Sequence, residues 1–111
     1  MTKMDDPREM TEEEVRQEFL EYIAVMVNYW DHTAPARTQR ERLSGLVHSL
    51  LVMLDGGTDL PKFIVVPDPH PDDREFHRGE GDNWWPENLE TGVRCDIAGS
   101  LHEQWYRVYR G

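Results

Sequence analysis

Cysteine is nearly absent from this 111-residue sequence, in which Cys95 is the only one. A single thiol cannot form a disulfide within the chain, so a small secreted fold held together by disulfides is excluded. Long apolar runs are also missing, and we predict neither a signal peptide nor a membrane span. These absences lead us to expect a cytoplasmic protein that has no membrane partner.

Basic residues are scarce: 12 Lys and Arg face 22 Asp and Glu, for a net charge of -10. Proteins that bind nucleic acids need cationic surface to replace the counterions of the phosphates. Direct binding to DNA, RNA or an anionic membrane is therefore disfavoured, and a basic protein surface is the expected partner.

The acidic residues are concentrated in two segments. Residues 1–30 hold eight acidic and three basic residues, and residues 68–90 hold eight acidic and two basic residues. Each segment is either ordinary solvated surface or an interaction surface for a cationic partner. The predicted binding residues of the later segment are Asp72, Asp73, Glu75, Glu80 and Asp82. A second acidic face is predicted at Glu13, Glu14, Glu18 and Glu21.

The first half of the chain has the pattern of a helical hairpin. Thr11 and Glu14 have the spacing of a capping box, and apolar residues recur at helical intervals through residues 12–31. A second apolar stripe predicts a helix that begins near Pro35 or Ala36 and ends before Gly56-Gly57. The short connection between the two helices predicts an antiparallel arrangement.

The second half is less regular. Residues 62–66 are rich in β-branched side chains between two prolines, which predicts a short extended segment. Residues 67–92 read as a long irregular loop whose apolar side chains pin it to the helices. These side chains are Phe76, Trp84, Trp85 and Leu89. Asp96 is the expected N-cap of a C-terminal helix.

The expected fold is therefore mainly α. It consists of an antiparallel helical hairpin, a C-terminal helix, one short extended segment and a long loop pinned by aromatic side chains. Residues 1–10 are expected to be a flexible leader, and residues 11–111 a single α-rich domain. The predicted core consists of Phe19, Ile23, Met26, Val27, Trp30, Leu43, Leu46, Leu50, Leu54, Ile64, Leu101 and Trp105.

Trp84 and Trp85 are the most distinctive local feature of the sequence. Two adjacent tryptophans in a loop are either buried anchors or, where one is exposed, a hot spot for binding a protein. We include both in the predicted partner-binding surface.

His70 and His77 flank a segment rich in carboxylates and are candidate ligands for zinc, iron or manganese. Preceded by Phe63-Ile64-Val65-Val66, the His70-Pro71-Asp72-Asp73 run resembles the motif of the LmbE/PIG-L zinc deacetylases, which implies zinc ligation by the His and an Asp. Arg74 interrupts the Asp-Asp-Glu run of that family. The competing interpretation is a turn in which Asp side chains accept hydrogen bonds from the backbone.

Nothing in the sequence has the pattern of a nucleophilic enzyme. The serines and Cys95 lack the Gly-rich strand-turn-helix context of an activated nucleophile. His48 and His102 each lie next to an apolar stripe, where we interpret a single His as a boundary residue. We therefore expect a protein that is not an enzyme and that needs no cofactor.

Several segments together are similar to small acidic hypothetical proteins of bacteriophages and prophages. They are Glu41-Arg42-Leu43-Ser44-Gly45-Leu46, the turn from His70 to His77, Asn83-Trp84-Trp85 and Asp96-Ile97-Ala98-Gly99-Ser100-Leu101-His102-Glu103. The resemblance implies a phage accessory protein that acts by binding.

The functional hypothesis is a non-enzymatic, acidic protein-binding module or inhibitor. Its partner would be a basic nuclease, toxin or other host protein, and mimicry of nucleic-acid charge is one route to binding. One alternative is a metal-binding domain or metal-dependent hydrolase centred on His70 and His77. Another is an immunity or antitoxin protein, and formation of a homodimer is compatible with each.

Overall fold

The computed structural model describes residues 7–33, 37–87 and 92–109. About half of these residues lie in four helices: α1 is Glu12–Asp31, α2 is Gln39–Leu54, α3 is Asp73–Gly79 and α4 is Leu101–Val108. The mainly α prediction is confirmed. The chain divides into two compact units at residues 47 and 48, so α2 contributes its first part to one unit and its second part to the other.

The first helix begins and ends where the sequence predicts. The backbone N–H of Glu14 donates to Thr11 Oγ1 at 3.2 Å, and the backbone N–H of Thr11 donates to Glu14 Oε1 at 2.8 Å. Arg8 of the predicted leader donates two hydrogen bonds of 2.9 Å to the same carboxylate. The Arg8 side chain and the Thr11 N–H lower the pKa of Glu14 to about 2. Residues 1–6 of that leader lie outside the described residues.

The predicted start of α2 is wrong. Residues 34–36 lie outside the described residues, and the helix begins only at Gln39. A second reciprocal cap sets this boundary: the Thr38 N–H donates to Glu41 Oε1 at 2.7 Å, and the Glu41 N–H donates to Thr38 Oγ1 at 3.1 Å. A capping box satisfies two free N–H groups, whereas proline is merely tolerated in a first turn.

In the first unit, α1 and α2 form an antiparallel hairpin. The Arg42 Nη1 donates to the carbonyl oxygen of Asp31 at 3.4 Å, and further along α2 the indole of Trp30 lies over Gly45. Asp31 thus contacts an earlier residue of α2 than Trp30 does, which is the order expected for antiparallel helices. A Cβ on Gly45 would lie 2.4 Å from Trp30 Cη2, so the absence of a side chain allows this close approach.

In the second unit, α2 ends as predicted, at the glycine pair. Gly56 has a φ of +88°, its N–H donates to the Met53 carbonyl at 3.1 Å, and the Gly57 N–H donates to Val52 at 2.9 Å. The left-handed conformation at Gly56 satisfies carbonyls that the last turn leaves free.

Residues 61–70 form neither a helix nor a strand, and they begin beside the end of α2. The Phe63 N–H donates to the Leu54 carbonyl at 3.0 Å, and the Ile97 N–H donates to the Val65 carbonyl at 2.8 Å. The predicted role of Asp96 as a helix cap is wrong, because α4 begins only at Leu101. Asp96 instead accepts the N–H of Val65 at 2.8 Å and the ammonium of Lys62 at 2.9 Å.

The irregular loop predicted over residues 67–92 contains the seven-residue helix α3. Its aromatic side chains are not buried anchors: Phe76 is 62% exposed, Trp84 43% and Trp85 61%. Leu89 lies outside the described residues. The expected pinning of this segment by buried aromatic rings is therefore not observed.

The hydrophobic core is smaller than predicted. Met53, which the predicted core omitted, is the one fully buried large apolar side chain among the described residues, at 1% exposure. Three predicted core residues, Val27, Leu43 and Ile64, are exposed. Helical periodicity identifies an apolar face, but it does not reveal whether another element covers that face.

We predict that Gly45→Ala destabilises the protein by about 1 kcal/mol. Alanine gains up to about 1 kcal/mol of helix propensity, but overpacking against Trp30 costs about 1–3 kcal/mol. Urea unfolding measures the difference. Gly79→Ala is the control, because a Cβ at Gly79 meets nothing within 4 Å. Equal stability of the two variants would show that Trp30 does not pack on Gly45.

Candidate functional site

The predicted acidic surface is built around α3, and Asp73 holds it together. Asp73 Oδ2 accepts the backbone N–H of Trp85 at 3.2 Å, and Asp73 Oδ1 lies 3.2 Å from His77 Nε2. Its side chain is only 18% exposed. Asp73, predicted as a partner-binding residue, is thus engaged within the chain, where it fixes the tryptophan segment to α3.

The other four predicted carboxylates of this segment are exposed. They are Asp72, Glu75, Glu80 and Asp82. The side chain of Asp72 exposes 87% of its surface. We call these four residues together with Trp84 and Trp85 the acidic aromatic surface.

Both tryptophans of this surface are exposed, and each has a different neighbour. The guanidinium of Arg74 lies 5.3 Å from the ring centroid of Trp84, within the range of a cation–π contact. Trp85 is held at its backbone by Asp73 and exposes 61% of its surface. The two indoles line a cavity of about 410 Å³ together with His77, Asp82 and Asn83.

The two histidines of the predicted metal site make separate contacts, His70 with Asp72 and His77 with Asp73. His70 is 75% exposed, and its Nδ1 accepts the backbone N–H of Asp72 at 3.1 Å. The Asp73 N–H donates to the His70 carbonyl at 2.9 Å, so the chain turns here, but the side-chain acceptor within the turn is the imidazole and not an Asp carboxylate. His77 faces Asp73 through Nε2, while its Nδ1 is buried and has no hydrogen-bond partner. Across the described residues, no three side chains of His, Cys, Asp or Glu are grouped to hold a metal ion.

The second acidic face, on α1, is partly neutralised by contacts within the chain. Glu14 pairs with Arg8, Glu13 pairs with Arg16 at 2.5 Å, and Arg16 also contacts Glu12. Glu21 accepts a hydrogen bond of 3.2 Å from Gln17. Glu18 is exposed. This face therefore presents less free negative charge than its sequence suggests.

Sequence reasoning missed a second cluster, which is centred on Asp55. This carboxylate follows directly after α2 and is 1% exposed. Its Oδ1 accepts the N–H of Gly99 at 2.6 Å, and its Oδ2 accepts the backbone N–H of His102 at 2.8 Å. Ser100, the N-cap residue of α4, makes no side-chain cap. Asp55 therefore caps α4 from 47 residues away along the chain.

The same carboxylate orients the imidazole of His102. His102 Nδ1 lies 2.6 Å from Asp55 Oδ2, and the side chain of His102 is 30% exposed. The ring centroid of His48, on α2, lies 5.8 Å from that of His102 and 5.4 Å from that of Tyr106. The two histidines interpreted as separate boundary residues thus lie side by side. The four-residue spacing of His102 and Tyr106, which places them on one face of α4, was the only sequence signal for this cluster.

Two opposing effects act on the acidity of Asp55. Burial alone would raise its pKa, but hydrogen bonds from His102, Gly99 and Leu101 together lower it to about 2. The pKa of Asp96 is also lowered to about 2, by the Lys62 ammonium and then by backbone N–H groups. Both carboxylates are therefore charged near neutral pH.

No family model matches this sequence, and neither a curated protein nor a solved structure is significantly similar to it. The function is therefore inferred from the geometry of these two clusters. No helix among the described residues is both long and apolar enough to cross a membrane.

We predict that Asp55→Ala lowers the free energy of unfolding by about 1–2 kcal/mol at neutral pH, because it removes the cap of α4. The folded pKa of about 2 lies below the reference value of 3.8, so the wild type binds fewer protons when folded. Its stability should accordingly be retained above about pH 4 and fall as the pH drops toward 2.

Urea unfolding at a series of pH values tests both statements. Asp55→Asn should flatten the loss of stability below pH 4, whereas Asp59→Asn, at an exposed carboxylate nearby, should not. The assignment fails if the pH profile of Asp55→Asn overlays that of the wild type.

Proposed function

We propose that this protein is a non-enzymatic binding module that engages a basic protein through its acidic aromatic surface. The observation that carries the proposal is the exposure of Trp84 and Trp85 directly beside exposed carboxylates. An exposed tryptophan costs solubility unless a partner covers it, and tryptophan is enriched among the residues that dominate protein interfaces.

Charge supplies the first step of the proposed binding. The net charge of -10 and the carboxylates around the tryptophans attract a cationic surface over a distance of about 10 Å at moderate ionic strength. Such steering raises the association rate and selects partners more than it adds affinity.

Aromatic contact supplies the second step. The contact of Arg74 with Trp84 shows that an indole of this surface accepts a guanidinium. The face of Trp85 offers the same chemistry to an arginine or lysine of the partner, and a desolvated cation–π contact contributes about 2 kcal/mol. Because Asp73 already holds the Trp85 backbone, less conformational entropy is lost on binding.

Exposed apolar residues of α1 provide further contact area in the first unit. Leu20, Val25 and Tyr29 are 53%, 58% and 59% exposed. A partner, or a second copy of the chain, that covered these side chains would remove them from water. The α1 acidic residues remain a second candidate surface, with Glu18 as its exposed carboxylate.

The chemistry of the surface defines the class of partner that we propose. It is a cytoplasmic protein with a basic groove, such as a nuclease, a toxin or another host protein, whose site the module occludes. A phage accessory inhibitor that places carboxylates where phosphates would bind has this chemistry, and so does an immunity protein. The acidic composition and the exposed tryptophans support both.

We predict that a fluorescein-labelled, arginine-rich peptide binds the protein and that Glu75→Gln/Glu80→Gln weakens this binding about tenfold. The matched control is Asp59→Asn/Glu103→Gln, which removes the same charge from exposed positions elsewhere. Fluorescence anisotropy measures the Kd, and added salt should weaken wild-type binding.

Trp85→Ala tests the aromatic contact separately. We expect about a tenfold loss of affinity with little change in melting temperature, since this side chain is largely exposed. Equal weakening by the two double variants would indicate nonspecific charge attraction. Unchanged binding by Trp85→Ala would remove the tryptophan from the interface.

A further inference from the structure

We propose that His48 and His102 form a binding site for a divalent transition-metal ion, with Zn²⁺ as the expected ligand and Asp55 as the carboxylate that orients His102. The site lies in the second unit, between the part of α2 that begins at His48 and the first turn of α4. It is independent of the proposed partner binding and of the His70–His77 pair.

The hydrogen bond to Asp55 determines which nitrogen of His102 is available. Because Nδ1 lies 2.6 Å from the buried carboxylate, Nδ1 is the nitrogen that donates to Asp55, and Nε2 is the nitrogen left to bind an ion. Histidines that ligate metals almost always donate their other ring N–H to a carboxylate or a carbonyl. His102 thus already has the carboxylate support that is typical of a metal ligand.

The position of His48 fits a second ligand. With Zn–N bonds of about 2.0–2.1 Å and tetrahedral angles, two imidazoles that share one ion have ring centroids about 5 Å apart. The observed separation is 5.8 Å, with planes inclined by 71°.

The surroundings favour a cation that exchanges with solvent. The side chain of His102 is 30% exposed and Tyr106, beside His48, is 53% exposed, so an ion and its remaining water ligands have access. Asp55 adds a full negative charge behind His102. Imidazole is a preferred ligand of zinc, copper and nickel. With two imidazoles and no group of three ligands among the described residues, the expected site is open rather than a closed structural centre.

Titration of Zn²⁺ into the full chain, free of any polyhistidine tag, tests the proposal by isothermal calorimetry. We expect one ion per chain, and about a tenfold or greater loss of affinity in both His48→Ala and His102→Asn. Asparagine places its amide where Nδ1 of histidine lies, so it can still donate to Asp55 while the Nε2 ligand is lost. Co²⁺ gives a second readout, because its visible absorption reports nitrogen ligands and should disappear in the same variants.

His70→Ala and His77→Ala are the matched controls and should bind Zn²⁺ like the wild type. If His102→Asn lowers the melting temperature of the metal-free protein, His48→Ala decides the question, since it leaves the contacts of Asp55 intact. Absence of saturable binding, or full binding by His48→Ala, would overturn the proposal. Loss of binding in His70→Ala or His77→Ala instead would also overturn it, because the ion would then lie on the other histidine pair.

Discussion

The second unit of this protein depends on one buried carboxylate. Asp55 lies just beyond the C-terminus of α2, where a negative charge opposes the dipole of its own helix. The same charge lies at the N-terminus of α4, where the free N–H groups and the positive end of that dipole stabilise it. The hydrogen bonds that Asp55 accepts from Gly99 and His102 therefore connect the two helices, because the negative charge after α2 is attracted to the positive N-terminus of α4. The orientation of His102 beside His48 follows from this connection.

Such polar connections matter because the apolar core is small. Met53 is fully buried, whereas Val27, Leu43 and Ile64 are exposed. Asp96 makes a second connection of the same kind, in which one carboxylate accepts the Val65 N–H and the Lys62 ammonium. Buried or half-buried carboxylates that accept several hydrogen bonds rigidify a small unit. Apolar and aromatic side chains that the small core does not use then remain exposed for contact with other molecules.

The two clusters differ in how far the sequence predicted them. The acidic aromatic surface is continuous in sequence, and composition alone identified its carboxylates and tryptophans. The structure added that Asp73 is an internal support rather than a contact residue, because it bonds to both Trp85 and His77. In contrast, His48 and His102 lie 54 positions apart, and no local pattern connects them to each other or to Asp55.

The sequence by itself determined the features that depend on near neighbours: the mainly α composition, the capping box at Thr11, the end of α2 at Gly56 and the acidic surface around α3. Each arises from contacts within a few residues, so spacing and residue type are sufficient. The tertiary structure alone decided which apolar faces are covered, that Asp96 binds Lys62 and Val65 and that Asp55 joins α4 to α2. Hydrogen bonds between residues that are 31 to 47 positions apart depend on how the chain folds back on itself, and the periodicity of the sequence does not predict which distant residues then meet.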